Sequence, residues 1–157
     1  MTSVLFVCLG NICRSPTAQA VFTKLSGDAG LTDMDIDSAG TGAWHKGDPP
    51  DTRSVEAAVA RGYNFNGQAA RRVESLDFAR FEFNIAMDAK NLKALKKIAP
   101  KAWNGHLGLF MDFAGRAKTD VADPYYGGAQ GFETVLNMTE AASRGLIAHI
   151  NAQPKSG

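Results

Sequence analysis

The chain has 157 residues, 45% of them hydrophobic and 21% charged. That composition suits one globular domain, residues 1–157, able to bury about two-thirds of its unfolded surface, and it excludes disordered and collagen-like chains. Seventeen Lys and Arg against sixteen Asp and Glu leave a formal net charge of +1, so no global field draws the chain to nucleic acid or to a membrane, while a local positive pocket stays open.

Residues 4–7 form a continuous β-branched and aromatic run that ends in a Gly-containing loop, which predicts a buried parallel strand. Ser15 and Pro16 then read as the cap and first position of a helix. Ala18, Val21, Phe22 and Leu25 line one face of it, and Gly27 or Gly30 stops it. A short strand at 35–42 runs into a Gly and Pro-rich loop at 42–51, and a helix follows over 52–61 with Gly62 as its stop.

A further strand at 83–87 leads to Asp88 and a Lys-rich helix over 91–99 that Pro100 terminates. Residues 106–113 predict the fourth strand, and Phe132, Val135, Leu136, Ala142 and Leu146 mark a last helix over 132–149. Strands alternating with helices imply an α/β fold, a parallel sheet with helices on both faces. Ligands of such sheets bind beyond the carboxyl ends of the strands, commonly at the first strand-to-helix turn.

That turn is unusually rich in chemistry. It is not a nucleotide-binding signature, since it holds one Gly and no Lys before its Ser. It offers instead a thiol at the strand end, backbone N–H groups able to curl inward, an Arg and a helix N-terminus. Together these describe a cradle for a tetrahedral oxyanion. The same field favours the thiolate of Cys8, placed to attack phosphorus.

Only two cysteines occur, Cys8 and Cys13, too close in sequence for a disulfide framework; three scattered histidines, His45, His106 and His149, lack the paired spacing of structural zinc. No basic stretch leads into a long apolar segment, so a cytoplasmic protein without metal is expected.

The eight residues Cys8-Leu9-Gly10-Asn11-Ile12-Cys13-Arg14-Ser15 match the C-x5-R-S signature of the low-molecular-weight protein tyrosine phosphatases. The resemblance extends through "DSAGTGAWHKGDPPD", "GQAARRV" and "MDAKN" to "DPYYGG". It implies a four-stranded parallel sheet with helices on both sides, no metal and no cofactor. Carried over residue by residue, it makes Cys8 the nucleophile and Arg14 the phosphate grip. Ser15 becomes the hydroxyl partner of the thiolate, Asn11 a loop residue in a left-handed conformation, and Ser38 its brace.

Asp123 matches the family's general acid and base, on a loop before the last helix. Trp44 and Tyr125 match aromatics that wall the entrance, with Tyr126 beside them; read on their own, all three are loop aromatics covering core. Cys13 stays open between a small loop side chain and the family's reversible disulfide partner for Cys8. Asp88 and Asn91 fit the family's "MDxxN" stretch, for which a helix N-terminal acid is sufficient reason. Gln68 follows the pattern of bacterial members. The implied partners are phosphotyrosine proteins, a bacterial tyrosine kinase among them, with inorganic phosphate as product and inhibitor.

Three other readings compete. An arsenate reductase of this fold relays its disulfide through further cysteines, and none follows Cys13. The related arginine phosphatases carry Thr where this chain has Ile12 and lack the tyrosine pair. A non-catalytic phosphotyrosine-binding module has no need of both Cys8 and Asp123.

Overall fold

The structure is a computed structural model that describes residues 2–124 and 128–153. Four strands, β1 (Thr2–Cys8), β2 (Met34–Gly40), β3 (Phe83–Ala86) and β4 (His106–Leu109), form one parallel sheet in the order β2-β1-β3-β4. β1 is central because it is apolar on both faces: Val4, Leu5, Phe6 and Val7 are all fully buried.

Alternation along β1 splits the core in two. Val4, Phe6 and Cys8 face α1 (Arg14–Asp28) and the last helix, packing with Phe22, Phe110, Val135 and Leu146. Phe6 stacks at 5.5 Å from Phe22 and 5.0 Å from Phe110. Leu5 and Val7 face the other layer, where Phe78, Phe81 and Leu95 close the core. The helices of the chain are α1, α2 (Thr52–Val59), α3 (Asp77–Arg80), α4 (Ala89–Ile98) and α5 (Gly128–Ala152). The chain leaves β1 toward β2 and later crosses to β3 on the opposite side, so the direction of strand order reverses at β1, beside its carboxyl end at Cys8.

Several boundaries differ from the sequence reading. The first helix begins at Arg14, one residue before Ser15; its capping position is Cys13, with no side-chain cap bond, because the Ser15 hydroxyl is used inside the loop. The fourth strand stops at Leu109, and Phe110–Ala114 is a 3-10 turn that ends at left-handed Gly115. α4 starts earlier than 91 because Asp88 accepts from the Asn91 N–H while Asn91 accepts from the Asp88 N–H. α2 is shorter, capped by the Asp51 carboxylate, and α5 begins at Gly128, before its first apolar residue.

The short α3 was not anticipated. It is held by Asp77, whose carboxylate accepts from the Glu74 N–H and from both terminal nitrogens of Arg71.

Candidate active site

Cys8 ends β1 with its side chain buried. The segment from Leu9 to Cys13 curls over it and is tied on its outer side. The Thr41 N–H donates to the Cys8 carbonyl at 2.9 Å, the Gly42 N–H to Leu9 at 3.0 Å and the Asp51 N–H to Ile12 at 2.8 Å. With the carbonyls turned outward, the amides turn inward. Among the described residues, the N–H groups of Leu9, Gly10, Ile12, Cys13 and Arg14 donate to no protein group, which leaves a nest of donors above the thiol.

β2 must come very close for this to work. A Cβ on Gly40 would lie 2.7 Å from the Leu9 carbonyl oxygen and 3.2 Å from the Asn11 nitrogen, so only glycine admits the loop. At Gly42 a Cβ would collide with the Trp44 ring, which folds over it.

Asn11 is the hinge of the curl, left-handed at φ 57°. Its amide orientation follows from its partners: Oδ1 accepts from the Arg71 N–H at 3.0 Å, so Nδ2 donates to Ser15 Oγ and Ser38 Oγ, both at 2.9 Å. Ser38 passes its own proton to Gln19 Oε1 at 2.8 Å. Ser15, already accepting from Asn11, has one hydrogen to give, and Cys8 Sγ at 2.9 Å is the near acceptor against the Ala39 carbonyl at 3.4 Å. The Asn11 N–H also points at Cys8 Sγ, at 3.3 Å. The Asn11 N–H and the Ser15 hydroxyl thus converge on one sulfur.

Arg14 is buried at the start of α1, and its Nη1 is engaged by the Asp88 carboxylate at 3.0 Å and the Val121 carbonyl at 3.1 Å. Its Nε and Nη2 have no protein partner among the described residues, which leaves one edge of the fork for two oxygens of an anion. The role of Asp88 was only half visible in the sequence: it caps α4 and also aims Arg14.

The open cleft above Cys8 has a volume of about 270 Å3 and is walled by the loop, Trp44, His45 and Asp123. Trp44 stands at the rim, 73% exposed. Asp123 is exposed on a segment anchored two residues earlier, where the Val121 N–H donates to the Met87 carbonyl at 2.7 Å. Tyr125 and Tyr126 lie outside the described residues. His45, which sequence reasoning passed over, pairs with Asp48 at 3.2 Å on the cleft wall. Gln68 donates to the Pro16 carbonyl at 3.2 Å, below the loop.

Both cysteines are free thiols. Burial pushes the Cys13 thiol up to about 11, against the pull of its hydrogen bond with Ser54 and with the help of the Asp51 carboxylate. Cys13 is therefore protonated at neutral pH.

The profile described as low molecular weight phosphotyrosine protein phosphatase matches residues 3–156. A Streptomyces coelicolor protein named low molecular weight protein-tyrosine-phosphatase is 43% identical over 155 residues, covering 96% of this chain and 94% of its own. A crystal structure of a protein tyrosine phosphatase from Entamoeba histolytica, with Hepes in its active site, superposes with a TM-score of 0.90 at 39% identity, covering 96% of this chain and 97% of that one. The crystal structure of a Drosophila arginine phosphatase superposes equally well, TM-score 0.90, at 29% identity, covering 98% and 100% of the two chains.

Two outcomes follow from the geometry. Gly40→Ala should weaken binding of inorganic phosphate about 10²-fold, measured by calorimetry, because the loop must move away from β2 by a substantial fraction of an ångström; unchanged affinity would show that the close approach is not needed. Iodoacetamide at pH 7 should modify Cys8 and spare Cys13. In a Cys8→Ser variant, alkylation should be slow at pH 7 and rise as pH climbs toward 11, since the thiolate of Cys13 appears only there.

Proposed function

Given that this chain belongs to the low molecular weight phosphotyrosine protein phosphatase family and is a phosphoric monoester hydrolase, we propose that it dephosphorylates tyrosine in proteins through a phosphocysteine on Cys8. One observation carries the proposal: a buried sulfur receives hydrogen bonds from Ser15 and Asn11 beneath a ring of inward backbone amides and beside the unoccupied edge of Arg14.

In the first step Cys8 Sγ attacks phosphorus, an S–P bond forms and the bond to the tyrosyl oxygen breaks. The loop amides and the Nε and Nη2 groups of Arg14 hold the equatorial oxygens as charge develops on them. Asp123 gives its proton to the departing tyrosyl oxygen. In the second step water attacks phosphorus, Asp123 takes its proton, and Cys8 leaves as the thiolate with inorganic phosphate as product. No step calls for a metal or a cofactor.

An exposed Trp44 at the rim of a cleft with a buried sulfur at its floor suits an aryl phosphate, whose ring reaches further from phosphorus than a seryl side chain. Tyr125 would supply the facing wall. Ile12 and the tyrosine pair after Pro124 favour phosphotyrosine over phosphoarginine, a distinction the fold alone does not make. The free thiols suit a reducing, cytoplasmic setting, and residues 1–157 act as one catalytic domain.

Cys8→Ser should abolish turnover of both phosphotyrosine and phosphoarginine peptides while phosphate binding survives. The unaltered protein should release phosphate faster from the phosphotyrosine peptide. A preference for phosphoarginine would overturn the substrate class, and undiminished turnover by Cys8→Ser would overturn the nucleophile. Asp123→Ala should slow esters with poor leaving groups about 10²-fold and spare those with good ones; equal losses across the series would remove Asp123 from the acid role.

A further inference from the structure

A second concavity, of about 350 Å3, runs along α4 outside the catalytic cleft. Its one wall is a face of that helix, where Lys90, Lys93 and Lys97 recur at helical spacing above Ile98. The opposite wall is Arg72, with buried Val73 at the floor. Among the described residues, four cations and no Asp or Glu line the groove.

Arg14, Arg53, Arg61, Arg71 and Arg80 each sit in an ion pair, whereas the four cations of the groove, Arg72, Lys90, Lys93 and Lys97, have no carboxylate partner within 4.0 Å among the described residues. In a chain of net charge +1, such a concentration is a local field and not a reflection of overall composition.

The groove abuts the backbone that holds the Cys8–Ser15 loop, on the side away from the cleft. Thr41 lines one end of it and donates its N–H to the Cys8 carbonyl, and Arg72 pairs across from Gly40, the residue that admits the catalytic loop. α4 itself begins next to Asp88, the residue that holds Arg14. From Lys90 to Ile98 the helix advances about 12 Å, the length of about four extended residues.

We propose that this groove binds an acidic segment of the substrate phosphoprotein, lying within a few residues of the phosphotyrosine and extending away from the cleft along α4. The inference rests on the phosphatase reading of the cleft and names what surrounds the phosphate in a preferred substrate. Charge complementarity selects an acidic chain, and the narrow apolar floor of Val73 and Ile98 fits its backbone and short side chains. Among the described residues the groove has no aromatic lining on which the bases of single-stranded nucleic acid would stack.

The test compares kcat/KM for two phosphotyrosine peptides of equal length, one with glutamates on both sides of the phosphotyrosine and one with alanine and serine in their place, alongside a small aryl phosphate. The unaltered protein should prefer the acidic peptide about tenfold at low salt, and Lys93→Glu/Lys97→Glu should erase that preference while leaving the aryl phosphate within about twofold. Equal turnover of the two peptides by the unaltered protein would overturn the proposal, as would a preference that survives the double substitution. Tighter binding of a single-stranded oligonucleotide than of the acidic peptide would overturn it as well. Failure of the unaltered protein to hydrolyse even the aryl phosphate is a distinct result, directed at the phosphatase reading itself.

Discussion

The side-chain amide of Asn11 is the interaction on which the catalytic turn depends. Holding a non-glycine residue left-handed costs about 1–2 kcal/mol, and Asn11 offsets it with four hydrogen bonds, to Cys8, Ser15, Ser38 and from Arg71, each contributing about 1 kcal/mol. The partners together more than offset that cost, and they come from the end of β1, from α1, from β2 and from the segment bridged to the edge of β2. The curl of the loop is thus a tertiary property, and the amide nest above Cys8 exists because distant parts of the chain pin one residue.

The same hub sorts the hydroxyl protons. Asn11 donates to both Ser15 and Ser38. Ser38 gives its hydrogen to Gln19, and Ser15 has one hydrogen with the sulfur at 2.9 Å nearer than the Ala39 carbonyl at 3.4 Å. The donor that faces Cys8 is therefore oriented before any substrate arrives, which is the form of preorganisation that stabilises charge most effectively. Cys13, in the same loop but surrounded by burial and the Asp51 carboxylate, receives the opposite treatment.

Most of this turn was legible in the sequence because its chemistry is local: thiol, Asn, Arg and Ser lie within eight residues at the end of one apolar run. The parallel sheet was legible for a related reason, since β1 is apolar on both faces and its neighbours alternate with helices. What escaped is what depends on partners far along the chain. Ser15 has the composition of a helix cap, yet its hydroxyl is claimed by Asn11 and Cys8. "FMDF" has the apolarity of a strand, yet it turns as a 3-10 helix to carry Phe110 under Phe6. Asp88 reads as a cap from its neighbours alone, and only the closing of β3 against β1 brings it to Arg14.

The link between Arg14 and the segment leading to Asp123 runs through one residue. Val121 is fully buried; its N–H donates to the Met87 carbonyl just beyond β3, and its carbonyl accepts from Arg14 Nη1. Met87 in turn donates to the Val7 carbonyl, next to Cys8. A chain of backbone bonds therefore connects β1, the end of β3, the segment leading to Asp123, and the guanidinium. Displacing that segment would break a bond to Arg14 and expose a buried valine, so the position of Asp123 and the aim of Arg14 are coupled. Two side chains separated by most of the sequence keep a common register because they share one peptide's neighbourhood, and the exposed carboxylate of Asp123 can sit on a loop without drifting from the cleft it lines.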